Sequence, residues 1–362
     1  MVSNNDNGTR PDFAKELYRR LNNYFVEKQL SRKADKRMII KLIIAFCWWL
    51  GSFALLFAVS TNAFAFFIFY AFHCFAQLFI LLNIAHDANH RAISKNPLLS
   101  NILVYSFDLC GVSSYMWRCL HHQQHHYCIN IDGEDENLVV RGLFRFNTGT
   151  RQKFIHRFQH LYFLFFYGLF TIDWVFTKDF ECFFFPHTTF LKNIKHKRKE
   201  YIKLFAGKIL YIGYMIFLPV VYLGYPLLFV IAIFLICHFM IGVVGALIIQ
   251  TTHPLISSAF PKSKNEYENF VFHVLATTSD YSVNRPLAKF FYGGLNTHVI
   301  HHLIPNACHT HYPELTAIIK STTKEYGVVY RENKSMFEAV SEHYRLLKQM
   351  SIRQPHIGPV MN

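Results

Sequence analysis

Two long tracts of the chain carry no formally charged side chain: Asp, Glu, Lys and Arg are all absent from Leu42 to Ala85 and again from Ile209 to Thr252. Each tract is about twice the ~20 apolar residues that cross a bilayer as one helix. Each is also broken near its middle by turn formers, Ser60-Thr61-Asn62 in the first and Gly224-Tyr225-Pro226 in the second. The pattern predicts two helical hairpins and hence four membrane spans. It divides the chain into a polar N-terminal segment (1–41), hairpin one (42–85), a central region (86–208), hairpin two (209–252) and a C-terminal region (253–362).

Composition supports a membrane setting. Of 362 residues, 52% are hydrophobic and 38 are Phe, too apolar a balance for an ordinary soluble domain. Basic residues orient the hairpins: Arg19, Arg20, Lys28, Arg32, Lys33, Lys36, Arg37 and Lys41 precede the first, and Lys192, Lys195, Lys197, Arg198, Lys199, Lys203 and Lys208 precede the second, while the short turns have none. By the positive-inside rule both termini and the central region face the cytoplasm. A bacterial inner membrane is the expected location. The first 37 or so residues are polar and lack the apolar core of a secretory signal; both termini read as linker-like. The formal charge of +14 fits basic cytoplasmic loops near anionic lipid. Alternatively, Arg118, Arg151, Lys153, Arg157, Lys192 and Lys195 would dock an anionic acyl carrier. No groove-reading motif supports nucleic acid as a partner. The eight Cys form no C-x-x-C pair and read as reduced packing residues.

Histidines cluster next to the charge-free tracts and in the C-terminal region. Three groups have metal-ligand spacing: His86-Asp87-Ala88-Asn89-His90, His121-His122-Gln123-Gln124-His125-His126 and His298-Val299-Ile300-His301-His302. On a helix, residues i and i+4 share a face, so His86 with His90, and His121 with His125, can each grip one metal ion from one side. Imidazole suits iron, copper and zinc, and an all-histidine site with open positions can activate oxygen when its metal is redox-active. Eight or nine converging histidines overshoot the four ligands of an ordinary zinc site; a dinuclear iron centre uses the number best. The isolated histidines His73, His156, His160, His187, His196, His238, His343 and His356 read as satisfied or surface residues. The predicted orientation places all three clusters in one compartment.

The order H-x-x-x-H, H-x-x-x-H-H, H-x-x-H-H, with Gly293-Gly294-Leu295-Asn296 before the third box and Leu303-Ile304-Pro305 after it, resembles the membrane fatty acid desaturases from about Pro11 to about Tyr344. Trp117-Arg118 before box two and Asn130-Ile131-Asp132-Gly133 after it are most similar to bacterial acyl-CoA desaturases related to front-end, linoleoyl-CoA-type enzymes without a fused cytochrome b5 domain. The third box of those enzymes usually begins with Gln, where this chain has His298. The resemblance implies an all-α integral membrane protein, with four transmembrane helices in two hairpins under a cytoplasmic helical cap that holds a histidine-rich di-iron site. It implies as ligands His86, His90, His121, His125, His126, His298, His301 and His302. It adds His253, in Gln250-Thr251-Thr252-His253, whose other reading is a helix-end histidine favoured by the C-terminal dipole. His122 is expected behind the ligands, and Asp87, Asn130, Asp132 and Asp135 as groups that orient ligand imidazoles through their second N–H. His273 is either a supporting group or structural. Pro254 after His253 and Val274 after His273 depart from the relatives' usual residues, which implies a shifted substrate position.

The implied reaction is oxygen-dependent: two hydrogens leave neighbouring methylenes of an unactivated acyl chain, a cis double bond forms and water is released. Two iron ions and O2 are the implied cofactor and co-substrate. The substrate would be an acyl thioester, with coenzyme A favoured over acyl carrier protein, or an acyl lipid. The aromatic segments from Phe163 to Phe170 and from Phe183 to Phe185 would line its channel or anchor the chain at the membrane interface. The chain has no G-x-G-x-x-G and no haem segment of a cytochrome b5 domain, so ferredoxin, or cytochrome b5 with its reductase, would supply electrons. A hydroxylase, acetylenase or ketolase on the same scaffold is the nearest alternative. A metal transporter is the alternative from another class, although transporters place ionisable residues within spans rather than at their ends.

Overall fold

The structure, a computed structural model, describes residues 10–59, 62–136, 138, 141–186 and 188–352. It is mostly helical, at 69%. Four helices are long and apolar enough to cross a membrane: Lys36–Ala58, Ala63–Asn89, Arg198–Leu223 and Leu227–Gln250, here spans one to four. Spans one and three start before the charge-free tracts and take in Lys36, Arg37 and Lys41, and Arg198, Lys199, Glu200, Lys203 and Lys208. The first turns of a span accommodate such residues when stems lie along apolar surface or the charge is paired. Lys208 is the paired case, with Nζ 2.6 Å from Asp179 Oδ2.

Of the first expected turn, Ser60 and Thr61 lie outside the described residues. Asn62 caps span two by accepting from the Ala65 N–H at 3.0 Å. Gly224-Tyr225-Pro226 separates spans three and four. Spans one and two touch through Trp48 and Phe72, whose ring centroids are 5.3 Å apart, and through Ser52 Oγ, 2.9 Å from His73 Nδ1. Spans three and four meet where Tyr211 Oη lies 2.7 Å from His238 Nε2. Phe66 packs on Tyr225 at 4.7 Å and joins span two to the second turn.

A further feature escaped the apolar pattern. Phe154–Gly168 and Phe170–Phe184 form a pair bent by 59° that by length and composition passes as a broken span or a re-entrant loop, the latter keeping both termini on one side. Its second half carries Asp173, Lys178, Asp179 and Glu181, which is why no charge-free tract marks it.

Both ends of the described chain are folded, which corrects their reading as linkers. Arg10–Glu27 is an amphipathic helix whose Phe13, Leu17, Leu21 and Tyr24, spaced three or four apart, are buried on one face. They share a hydrophobic cluster with Val299, Ile300, Leu303 and Leu315, and the helix packs on Tyr312–Glu325, which in turn packs on the helix of the third histidine box. Met336–Ser351 buries His343, Leu346 and Leu347. Among the described residues the only strand pairing is a two-residue parallel contact, Asp280 with Glu332 and Tyr281 with Asn333.

Candidate metal centre

Box one follows a π-helical turn, Leu81–Ala85, at the end of span two, and the Arg118–His122 turn that carries His121 is also π-helical. The extra residue in such turns rotates the side chains after it, which is why they recur at functional sites. Box three lies on the short helix His298–Leu303. It reaches box one because Gly293 and Gly294 are left-handed, at φ 59° and 76°, and tightly packed. A Cβ on Gly293 would stand 2.0 Å from the Leu82 carbonyl oxygen, and one on Gly294 2.6 Å from His309 Cβ. Only glycine fits both the conformation and the space.

Eight of the nine expected ligands fall into two buried tetrads. His86, His90, His121 and His301 offer nitrogens within 4.8 Å of one another, as do His125, His253, His298 and His302. In the first tetrad, His121 Nε2 lies 3.2 Å from His86 Nε2 and 3.1 Å from His90 Nε2. In the second, His253 Nε2 lies 3.2 Å from His125 Nε2 and 3.1 Å from His302 Nε2. His126 stands between the two, its ring 4.7 Å from that of His301 and 4.5 Å from that of His302. His86 and His90 share a tetrad as their spacing suggests. His121 and His125 do not: the helix breaks after His122, His125 begins a 3-10 turn, and the two rings serve different tetrads.

Burial and the repulsion of neighbouring imidazoles push His90, His121, His126, His298, His301 and His302 well below the ordinary imidazole range. Burial likewise takes His253 down to about 3. Neutral imidazoles present lone pairs, which is the form that binds metal. Both nitrogens of His298, Nε2 of His301 and Nδ1 of His302 are buried without a hydrogen-bond partner among the described residues. Buried polar atoms rarely go unpaired. Two all-imidazole, carboxylate-free tetrads with unmet acceptors fit a pair of transition-metal ions.

The supporting groups are placed individually. Asp135 holds His125, with Oδ1 3.0 Å from Nδ1; burial raises its carboxyl, but His125 and His253 outweigh that and hold it below its usual range. His253 Nδ1 lies 3.3 Å from the Thr277 carbonyl oxygen. His122 stacks on His90 at 4.0 Å, outside both tetrads. Asn130 supports backbone rather than an imidazole: its Nδ2 donates to the carbonyls of His253 (3.2 Å), Ala259 (3.1 Å) and Thr277 (3.2 Å). Asp132 lies on an exposed turn and accepts from Thr150 Oγ1 at 2.8 Å, away from the imidazoles it was expected to orient. His273 bonds the Ile129 carbonyl at 2.9 Å. His187 and His356 lie outside the described residues.

Two supporting residues were missed. His309 Nδ1 is 2.8 Å from Asp87 Oδ2, and Asp87 Oδ1 is 3.7 Å from His86 Nδ1, so Asp87 sits between the two histidines. The Cys308-His309-Thr310-His311 run was a visible signal. Asp280 accepts from the Val299 N–H at 2.8 Å and from Tyr330 Oη at 2.5 Å, which fixes the start of the box-three helix. Burial raises its carboxyl to about 7.

A mainly apolar cavity of about 270 Å³ opens beside His86, His121, His125 and His298. Leu78, Leu82, Trp117 and Leu120 form one side of its lining; Phe166, Tyr167 and Phe170 come from the aromatic segment expected to do so, whereas Phe163 is buried elsewhere and Phe185 is exposed. Arg141, Asp173, Lys178 and Glu181 also line it, with the Arg141 guanidinium 2.5 Å from Asp173 and 2.6 Å from Glu181.

Comparison with known proteins gives the family. The chain is 30% identical to the sn-1 linoleoyl-lipid 6-desaturase of Synechocystis sp., over 93% of this chain and 95% of that protein. It is 28% identical to the acyl-lipid (8-3)-desaturase of Physcomitrium patens, over 95% of this chain and 72% of that one. It is 27% identical to the sn-1 linoleoyl-lipid 6-desaturase of Arthrospira platensis, over 94% and 93% respectively. A family model described as fatty acid desaturase matches residues 63–334, taking in all three histidine boxes, and the chain belongs to that family of enzymes.

Proposed function

We propose that the protein introduces a cis double bond into a fatty acyl chain carried on a membrane lipid, at a pair of iron ions. The observation that carries this reading is the meeting of two imidazole tetrads with one apolar cavity. His86, His90, His121 and His301 would hold one ion, and His125, His253, His298 and His302 the other, with His126 between them. Bound iron would supply the one-electron chemistry that activates dioxygen. The chain's own residues do the positioning. Leu78, Leu82, Leu120 and Phe170 exclude water and hold an acyl segment against the tetrads, so that one pair of methylenes meets the oxidant. Asp135 and the Thr277 carbonyl fix the ring orientations of His125 and His253.

The balance is one O2, two electrons and two protons taken up for each CH2–CH2 converted to CH=CH, with two waters released. The electrons come from a separate donor, ferredoxin or cytochrome b5 with its reductase. An acyl lipid replaces coenzyme A as the favoured carrier because the relatives are named for acyl-lipid substrates and because the cavity's charged lining pairs Arg141 with carboxylates rather than leaving it for phosphates. We further propose that the spans form two hairpins with both termini and the metal centre on the cytoplasmic side, the side indicated by the basic flanks.

Expression in a bacterium without polyunsaturated lipids, fed saturated, oleic and linoleic acids, tests the reading by mass spectrometry with double-bond localisation. A new acyl species lighter by two hydrogens, found first in intact lipids, supports it. A hydroxylated or triple-bonded product would replace desaturation, and product arising only from acyl-CoA would overturn the carrier.

A further inference from the structure

A second cavity, of about 330 Å³, lies apart from the acyl cavity and shares no lining residue with it. Arg37, Lys41, Lys289 and His309 contribute its polar wall and Ile40 and Phe290 part of its apolar wall; no Asp or Glu lines it. Arg37 is already paired, 2.6 Å from Asp35 and 3.2 Å from Glu314. Lys41 and Lys289 are not paired with a carboxylate among the described residues. Lys41 is 5% exposed, and its ammonium has two acceptors, the Lys289 carbonyl at 3.3 Å and His309 Nε2 at 2.9 Å. An ammonium carries three donors, so beyond these two acceptors and the Phe290 and Phe79 rings 5.3 and 5.9 Å away, one N–H of this buried cation has no hydrogen-bond acceptor among the described residues while the side chain lines the cavity. A buried cation in that state favours an anion beside it.

The location selects the anion. Arg37, Ile40 and Lys41 belong to the first turns of span one, where a spanning helix meets the membrane boundary. Ile40 is 58% exposed, and on the neighbouring helix Pro286–Phe291 Leu287 is 72% exposed. Cations ringed by exposed apolar side chains at a span end match a phosphate with acyl chains attached. We infer that this cavity binds the phosphodiester of an anionic phospholipid, with Lys41 and Lys289 as its cationic contacts and Ile40, Leu287 and Phe290 against its acyl chains. The site is built on the support of box one, since the His309 that accepts from Lys41 also bonds Asp87 at 2.8 Å.

The test uses the purified full chain in phosphatidylcholine nanodiscs with or without phosphatidylglycerol, read by native mass spectrometry for retained lipid and by thermal unfolding. Phosphatidylglycerol should be retained in preference to phosphatidylcholine and should raise Tm. Lys289 is exposed, so its replacement spares the core: Lys289→Glu should cut retention by about tenfold, the size of one lost charge-assisted hydrogen bond. Lys289→Arg should keep it, and Lys348→Glu, a reversal on the exposed face of the C-terminal helix, should leave it unchanged. Equal retention in Lys289→Glu, an equal loss in Lys348→Glu, or no preference between the two lipids would overturn the proposal. So would inorganic phosphate giving the whole Tm rise without lipid, or an acidic electron-donor protein giving a rise that phosphatidylglycerol does not.

Discussion

Two sets of buried histidines differ in what their nitrogens touch. In the spans and the C-terminal helix, His238 bonds Tyr211 Oη at 2.7 Å and Thr171 Oγ1 at 3.1 Å, and His343 bonds Tyr167 Oη and the Pro254 carbonyl, each at 2.7 Å. Both rings are fully satisfied. In the tetrads His298 is as deeply buried, yet neither of its nitrogens has a hydrogen-bond partner among the described residues. Residue type and burial are the same, so the bonding pattern is what separates a structural histidine from one shaped to bind something. By the same test His238, the histidine inside span four, is a structural residue and a poor candidate for a transport pathway.

Removing a tetrad member should give the largest effect. His121→Ala or His301→Ala should abolish desaturation in the expression assay, with the protein still inserted and bound metal reduced; full activity in either would sink the ligand assignment. A smaller loss is expected where a supporting group goes: Asp135→Asn or His309→Ala should lower metal affinity or activity by roughly 10–100-fold, measured by metal retention during dialysis against chelator. An unchanged affinity would mean that these contacts do not orient ligands.

Acid should separate the two sets further. The imidazoles of His90, His121, His253, His298, His301 and His302 are held neutral in the fold, so an unfolded chain takes up protons that the folded one refuses once pH drops below the ordinary imidazole value of 6.5. Their contribution to stability is complete above that value and is lost as pH falls toward the folded-state value, about 3 for His253. Tm of the metal-free protein should therefore fall between pH 6.5 and acid, and added metal should oppose the fall. A Tm that rose on acidification would contradict neutral imidazoles at these six positions. The mildest change is His238→Phe. It removes one partner each from Tyr211, which keeps Gln77 Oε1 at 3.0 Å, and Thr171, which keeps the residue-238 carbonyl at 2.9 Å, and should cost about 1 kcal/mol of stability while leaving metal content intact; loss of metal would erase the distinction between the two sets.

Much of this was legible in the sequence, for identifiable reasons. Ligand spacing is a local property, so the boxes stood out, and absence of charge over 42–85 and 209–252 marked the spans. Folding decided the rest. The π-helical turn at Arg118–His122 has no simple periodic signature, and it sends His121 and His125 to different tetrads although their spacing put them on one helix face. His309 and Asp280 act through partners 222 and 19 residues away, Asp87 and Val299. The stripe Phe13, Leu17, Leu21 was readable, but the charged residues around it suggested a linker. Asp132 was picked for its place beside a motif, and its carboxylate turned instead to Thr150.

Metal analysis of the purified full chain tests the two-tetrad centre most directly, by counting iron and zinc per chain in the wild type and in His238→Phe and His301→Ala. A di-iron centre predicts two irons per chain in the wild type and in His238→Phe, with fewer in His301→Ala. Stoichiometric zinc in place of iron, or the same iron content in His301→Ala as in the wild type, would contradict it.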